Sequence, residues 1–352
     1  MALEFAALRV AGVETLCDDA AAVTFDVPDE LRATFRFRAG QSLTVRRRHG
    51  GNDDRRSYSI CAAAGAPVRI GVRAVAGGAV SGWLVHDVRP GDMVEVAPPS
   101  GSFTTDLDVP ARHVMIGAGS GITPLLSIAA TALRTPGSTV TVLYGNRRSD
   151  SVMFADELAE LKDRFGPRLE IVHVLSREQR DAGPAGGRLD SSRLDSLLTE
   201  LVPVAAVRHW WLCGPYGLVE TARDVLTARG VPADRVHREL FYVEDVAPPP
   251  ATHPDAVSSG PTSAVTILLD GRAGVLALPR DTPILDAAQR VRGDLPFACK
   301  GGVCGTCRAR VTAGEVTMRR NFALEDDELA DGFVLSCQSL PVTDEVTLDF
   351  DA

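Results

Sequence analysis

Between residues 42 and 96 the apolar positions come in short alternating runs, at 42–45, 68–73 and 93–96, each broken by turn residues. A period of two marks strands with one buried face, and short strands punctuated by turns predict an antiparallel barrel or sandwich. Near residues 108–112 the pattern changes: apolar runs at 114–117, 140–144, 170–175 and 209–213 alternate with helical stretches that end near 133 or span 152–165 and 218–229. Strands of this kind alternating with helices predict a doubly wound parallel sheet. At 246–262 the apolar period disappears into Val246-Ala247-Pro248-Pro249-Pro250 and a Ser- and Pro-rich continuation, which predicts an extended tether. Beyond it, runs at 265–269 and 274–278 flank Asp270-Gly271, a hairpin signal. A helix should follow, capped by Asp281 or Thr282 with Pro283 as its first residue and Ile284, Leu285, Ala288 and Val291 on one face. A short helix near 324–329 and a last strand at 346–350 complete the pattern. The chain is thus expected to be multidomain: an antiparallel β-barrel at 1–108, an α/β domain at 109–245, the tether at 246–262 and a further domain at 263–352.

The length of 352 residues allows two or three domains, and 45% apolar with 24% charged residues is an ordinary globular composition. A formal charge of −9 with no basic stripe argues against nucleic acid as a partner. The start, Met1-Ala2-Leu3-Glu4-Phe5, lacks a basic region followed by an apolar run, and no uninterrupted apolar stretch of about 18 residues occurs. The expectation is a soluble, cytoplasmic protein with no membrane partner. Three of the seven cysteines, Cys17, Cys61 and Cys213, are far apart in sequence, and free thiols fit a reducing compartment.

The other four, Cys299, Cys304, Cys307 and Cys337, follow the spacing C-x4-C-x2-C-x29-C. This is the plant-type pattern for a 2Fe-2S cluster, in which each iron takes two soft thiolates. Glycines in Cys299-Lys300-Gly301-Gly302-Val303-Cys304-Gly305-Thr306-Cys307 allow positive φ and close approach of backbone to cluster. A zinc knuckle, or a redox-active dithiol at Cys304 and Cys307, is the alternative. Zinc sites usually present two well-separated pairs, however, and a Rieske centre needs histidines, of which this loop has none.

Three further segments suit phosphate and aromatic ligands. Arg56-Ser57-Tyr58-Ser59 offers a cation, a flat ring and a hydroxyl; read structurally, it is a barrel strand of alternating exposure. Gly77-Gly78-Ala79-Val80-Ser81 leads into a candidate helix N-terminus. Gly117-Ala118-Gly119-Ser120-Gly121-Ile122-Thr123-Pro124 lies between a strand and a helix, where glycines let backbone wrap a pyrophosphate, although it is not the G-x-G-x-x-G fingerprint.

Taken in order with Cys213-Gly214-Pro215, these segments resemble the ferredoxin–NADP reductase superfamily over residues 1 to about 246. With the cysteine domain appended, the whole chain resembles the reductase components of bacterial multicomponent oxygenases. The resemblance implies an FAD-binding barrel, an NADP-binding α/β domain and a β-grasp 2Fe-2S ferredoxin domain. It implies that Arg56 holds the flavin pyrophosphate, Tyr58 packs on the isoalloxazine, Ser59 bonds near its reactive nitrogen, and Gly78 and Ser81 complete the FAD phosphate site. Gly119, Gly121 and Thr123 would cradle the nicotinamide nucleotide, with Cys213 beside the nicotinamide ring. Tyr58, Ser59 and Cys213 are therefore the candidate catalytic residues. Glu239-Leu240-Phe241-Tyr242 resembles the family's closing strand, whose acidic and aromatic residues lie near the flavin.

Ser176-Arg177-Glu178 resembles the segment that grips the 2′-phosphate in NADP-dependent members, and Arg147-Arg148 follow the neighbouring strand. Arginines pair bidentately with phosphate, so NADPH is the expected donor. NADPH yields two electrons together and an iron–sulfur cluster takes one at a time, so a flavin, FAD with FMN as the alternative, must stand between them. The acceptor would be a separate protein. The cysteine loop, Met318-Arg319-Arg320-Asn321 and Gly332-Phe333-Val334-Leu335-Ser336-Cys337-Gln338 resemble reductase subunits of phenylacetyl-CoA epoxidase systems, which serve a di-iron oxygenase. Ketosteroid hydroxylase reductases, which feed Rieske oxygenases, share the domain order. A cluster-bearing redox sensor without turnover is the reading from another class.

Overall fold

The computed structural model describes residues 4–178, 187–242 and 261–352; of the expected tether, residues 246–260 lie outside the described residues. Two compact units result, the larger drawn mainly from residues 6–244 and the smaller mainly from residues 245–352.

The larger unit opens with β1 (Ala6–Cys17), β2 (Ala20–Asp26), β3 (Ser42–His49), β4 (Asn52–Ser59), β5 (Arg69–Arg73) and β6 (Met93–Val96), in the spatial order β4-β3-β6-β1-β2-β5. β1 with β2 and β6, β2 with β5, and β3 with β6 all pair antiparallel. Just beyond β4, Ile60 bridges Ile70 of β5, so the two edges meet and the sheet closes as the expected barrel. Leu8, Val23, Leu43, Ile60, Ile70 and Val94 fill its interior. The helix α1 (Ala79–His86) packs across β5 and β2.

The same unit continues with β7 (Arg112–Ala118), β8 (Thr139–Asn146), β9 (Leu169–Leu175), β10 (His209–Pro215) and β11 (Val236–Tyr242), all parallel, in the order β11-β10-β7-β8-β9. Residues 113–117 of β7 and 210–214 of β10 are buried without a break, as central strands covered on both faces must be. Among them run α2 (Ile122–Ala132), α3 (Ala155–Phe165), α4 (Ser191–Leu201) and α5 (Tyr216–Ala228). Strand order reverses between β7 and β10, and that switch point opens a crevice at their C-terminal ends.

The expected helix at 152–165 starts only at Ala155, because Phe154 takes a left-handed conformation (φ 59°) and turns its ring inward. That ring lies where β5 approaches most closely: a Cβ on Gly71 would stand 2.8 Å from Phe154 and 2.4 Å from Thr123. Arg69 of β5 ties the same face to α3 through Glu157 at 2.8 and 3.0 Å.

In the smaller unit, β12 (Thr262–Leu269) and β13 (Arg272–Pro279) form the expected hairpin, with φ of 53° at Asp270 and 68° at Gly271 as a two-residue turn requires. α6 (Ile284–Ala288), β14 (Arg308–Ala313), β15 (Val316–Met318), α7 (Asp326–Ala330), β16 (Phe333–Leu335), β17 (Ser339–Pro341) and β18 (Glu345–Asp349) follow. The main sheet runs β13-β12-β18-β14-β16, with first and last strands parallel and the other pairs antiparallel, the β-grasp arrangement. Ile284, Leu285 and Ala288 of α6 are buried, but Val291 is 74% exposed. The helix ends before it, since the amides of Val291 and Arg292 both turn back to the Ala288 carbonyl. Pro283 stands at the cap, one position before the first helical residue. Among the described residues, no helix is long and apolar enough to cross a membrane.

At the opposite end of the parallel sheet from the crevice, three strands bring histidines together. His237 stacks on Trp211 at 4.2 Å, His209 and His237 nitrogens lie 3.1 Å apart, and Trp211 Nε1 donates to His113 Nδ1 at 3.3 Å. Burial first, then mutual repulsion, pushes His113 down to about 4 and His237 likewise; burial and the nearby Arg208 and Arg235 lower His209. These rings are therefore neutral when folded, while the unfolded chain protonates below about 6.5. The share of stability held by these rings should be complete above pH 6.5 and be lost as pH drops toward 4, with His113 alone contributing about 3 kcal/mol. Calorimetry of wild type and His113→Gln from pH 7 to 5 checks this: the variant should lose less stability than wild type over that range.

Candidate functional site

The crevice is built from residues far apart in sequence. β7 ends in Gly117 and Ala118, the chain turns through Gly119 (φ 55°), and α2 begins at Ile122. Thr123 donates to the Ser120 carbonyl at 2.9 Å, and the buried Tyr144 hydroxyl donates to the Gly119 carbonyl at 2.9 Å, which holds the loop open at the helix N-terminus. Backbone N–H groups and the helix dipole there suit an anion. Gly121 also serves packing. Its Cβ would lie 2.2 Å from the Cys213 carbonyl, so the absent side chain lets the end of β10 dock against this turn.

Across the switch point, Cys213 is fully buried. Glu239 of β11 points its Oε2 to within 3.9 Å of the Cys213 sulfur and accepts the Ser59 hydroxyl from β4 at 3.2 Å. Burial raises the Glu239 carboxyl to about 7, against the opposing pull of the Ser59 hydrogen bond. Burial and the neighbouring Glu239 push the Cys213 thiol far up, so it stays protonated. Tyr58, next to Ser59, is partly buried against the barrel core. The structure thus unites Ser59 and Cys213 around Glu239, a carboxylate outside the candidate list that the closing-strand motif had marked.

Arg56 is exposed on β4, and its Nη1 donates to the Arg55 carbonyl at 2.6 Å. Gly78 caps α1, and its Cβ would stand 2.4 Å from the Ser81 hydroxyl, which is already held by the Val75 amide at 3.1 Å. Ser81 therefore shapes the loop. Arg47, which no motif indicated, donates to the Ala79 carbonyl at 2.5 Å and lies 5.3 Å above the Trp83 ring. With Gly77, Gly78, Ala79, Trp83 and His86 it lines a depression of about 480 Å³.

At the outer edge of the crevice, the amide of Ser176 donates to the Asn146 carbonyl at 2.9 Å and that of Arg177 to the Arg147 carbonyl at 2.8 Å. These two bonds lock the loops after β8 and β9 side by side. Arg147, Arg148, Ser176 and Arg177 are brought to one exposed edge, with Arg147 3.4 Å from Asp19 and Arg148 3.1 Å from Asp150.

In the smaller unit the cysteine loop needs three left-handed residues, Lys300 (φ 53°), Gly302 (φ 80°) and Gly305 (φ 66°). Lys300 meets this demand without being glycine, anchored by Asp286 at 2.9 Å and by the Phe297 face at 4.8 Å. Among the described residues no three His, Cys, Asp or Glu side chains converge as around a single ion. The thiols instead associate as two pairs, Cys299 with Cys304 and Cys307 with Cys337. The Gly301 amide donates to the Cys299 sulfur at 3.3 Å and the Gln338 amide nitrogen lies 3.5 Å from the Cys337 sulfur. Two thiol pairs, with N–H donors aimed at sulfur, fit two irons that each take two thiolates.

Family models agree with these three regions. The oxidoreductase FAD-binding domain matches residues 7–105, the oxidoreductase NAD-binding domain 115–224, and the 2Fe-2S iron-sulfur cluster binding domain 267–342. The sequence is 41% identical over 353 residues to one subunit of the 1,2-phenylacetyl-CoA epoxidase of Escherichia coli, covering 99% of this chain and 98% of that protein. It is 35% identical over 356 residues to the ferredoxin reductase component of 3-ketosteroid-9-alpha-monooxygenase of Mycobacterium tuberculosis, covering 98% of this chain and 95% of that one. Phthalate dioxygenase reductase, solved as a modular structure for electron transfer from pyridine nucleotides to 2Fe-2S, superposes with a TM-score of 0.62 at 26% identity, covering 98% of both chains.

Proposed function

Because the chain belongs to the family of FAD-, NAD- and 2Fe-2S-binding reductase components of multicomponent oxygenases, we propose that it takes electrons from NADPH and delivers them to the oxygenase of a phenylacetyl-CoA epoxidase system. The observation that carries this partner is the 41% identity sustained across the whole chain, against 35% for the ketosteroid reductase. The flavin, when bound, parts the electron pair of a nicotinamide hydride so that the cluster passes on single electrons.

The chain's own residues do the positioning. Arg56 would hold the FAD pyrophosphate, with Gly78 and Ser81 shaping the second phosphate loop, and Tyr58 would present its ring to the flavin. Ser59, Glu239 and Cys213, which lie together, would line the meeting place of nicotinamide and flavin: the serine would supply a hydroxyl, the carboxyl a proton store near neutrality, and the neutral thiol an apolar wall. Gly119 and Thr123 would seat the nucleotide, and Arg147, Arg148, Ser176 and Arg177 would face its 2′-phosphate. Cys299, Cys304, Cys307 and Cys337 would ligate the cluster. Cys17, Cys61 and Cys213 are free thiols, which supports a cytoplasmic setting.

Steady-state assays of purified protein with NADPH and NADH test the reading. Ferricyanide reduction should be supported by NADPH, and Arg177→Ala should raise the NADPH KM about tenfold while leaving NADH unchanged. Coupled turnover with a phenylacetyl-CoA epoxidase oxygenase should exceed that with a Rieske-type oxygenase. The reverse order would transfer the assignment to the ketosteroid-type system, and no NAD(P)H oxidation by cofactor-loaded protein would defeat it altogether.

A further inference from the structure

The loop between β8 and α3 carries Arg147 and Arg148, two of the arginines proposed above for the 2′-phosphate, and the barrel grips this loop at two points. Asp19, in the turn between β1 and β2, accepts Nη2 of Arg147 on its Oδ2 at 3.4 Å. Arg73 of β5 donates its Nη2 to the Ser151 carbonyl at 2.6 Å. The two barrel residues also face each other, with Arg73 Nε 3.5 Å from Asp19 Oδ1. The Asp19 backbone carbonyl accepts the Ala74 amide at 2.7 Å, and the Cys17 thiol donates to Asp19 Oδ1 at 3.3 Å. Asp19 is therefore a carboxylate set in place from several directions.

That placement has a chemical consequence. A phosphate binds arginine through the same donors that a carboxylate uses, so the two compete for one guanidinium. Arg147 is already offered an acceptor by Asp19, and Arg148 by Asp150 at 3.1 Å. The two acids differ in setting: Asp150 is 65% exposed and lies on the loop itself, whereas Asp19 is 38% exposed and anchored on the barrel. Glu178, beside Arg177, is taken up by the Ser149 amide and hydroxyl at 2.6 and 2.8 Å. A 2′-phosphate arriving at this edge must therefore take Arg147 from Asp19 and come to rest near the displaced carboxylate. A nucleotide without that phosphate meets no such competition.

We propose that Asp19 is a specificity-determining residue: it holds Arg147 before nucleotide binds, competes with the 2′-phosphate for it, and keeps the preference for NADPH over NADH below what the arginines alone would give. The inference rests on the reading of Arg147, Arg148, Ser176 and Arg177 as the 2′-phosphate edge. Asp19 touches the nucleotide's selectivity from another domain, since it belongs to the barrel while the loop belongs to the α/β sheet. Exchange of partners at Arg147 releases one of the two barrel ties on that loop and leaves the other, from Arg73 to Ser151, in place.

FAD- and cluster-loaded protein carrying the isosteric Asp19→Asn should show a kcat/KM ratio for NADPH over NADH about fourfold higher than wild type, through a lower KM for NADPH. In titrations of oxidised protein, 2′,5′-ADP should bind about fourfold more tightly to the variant, while 5′-ADP, which lacks the 2′-phosphate, binds as it does to wild type. Asp19→Ser, which also shortens the side chain out of reach of Arg147, should move both readouts in the same direction. An unchanged or lower ratio in both variants would overturn the proposal. So would parallel weakening of both ADP fragments with a lower melting temperature, the mark of a brace between barrel and loop and nothing more. Wild-type protein that binds 2′,5′-ADP no better than 5′-ADP, with Arg177→Ala altering neither, would instead refute the 2′-phosphate reading on which the proposal stands.

Discussion

Cys307→Ser should leave a protein that still reduces ferricyanide with NADPH but no longer delivers electrons to an oxygenase or to cytochrome c above background. Cys307 is 3% exposed, and its carbonyl accepts both the amide and the hydroxyl of Ser336 at 3.1 and 2.9 Å, so the backbone that aims its sulfur is fixed from two sides. Cys337 stands one residue beyond Ser336 and pairs with Cys307. A serine oxygen is a hard ligand and a poor substitute for thiolate on iron. Loss of the red-brown absorbance after anaerobic reconstitution is the direct readout. Because cluster binding and folding are linked, the melting temperature of the smaller unit should also fall. A Cys307→Ser protein with full colour and full electron delivery would remove this thiol from the ligand set.

Glu239→Gln should lower the rate of flavin reduction about tenfold and erase its pH dependence near neutrality. In the wild type the carboxyl sits at about 7 because burial opposes its charge. It holds a proton below that value and loses it above, within reach of Ser59 and Cys213. The same shift has a stability consequence of definite sign. The folded carboxyl binds its proton more tightly than the unfolded one, whose ordinary value is 4.5. Its favourable contribution is complete below about 4.5 and disappears as pH rises through about 7. A neutral amide avoids the buried charge, so the variant should melt a few degrees higher than wild type at pH 8 and show no such gain at pH 5. Stopped-flow flavin reduction from pH 5.5 to 8.5 and paired melting curves check both halves. A wild-type profile without an inflection near 7 would rule out this carboxyl as the proton store.

The features legible in the sequence are those whose chemistry is written in contiguous residues or in a regular period. Asp270-Gly271 announces its hairpin because two successive positive φ values demand those residue types. The cysteine spacing announces its cluster because a loop that wraps two irons needs fixed intervals. The unbroken apolar runs of β7 and β10 announce a sheet covered on both sides. Tertiary structure alone decided the rest. Ser59 from the barrel meets Glu239 180 residues later, Gly121 is small because the Cys213 carbonyl occupies the place of its side chain, and three histidines gather from three strands. A parallel sheet sets strand ends side by side however far apart they lie along the chain, so such meetings leave no periodic trace. Nor does sequence reveal that Val291 reaches solvent, because burial depends on what the rest of the fold brings near.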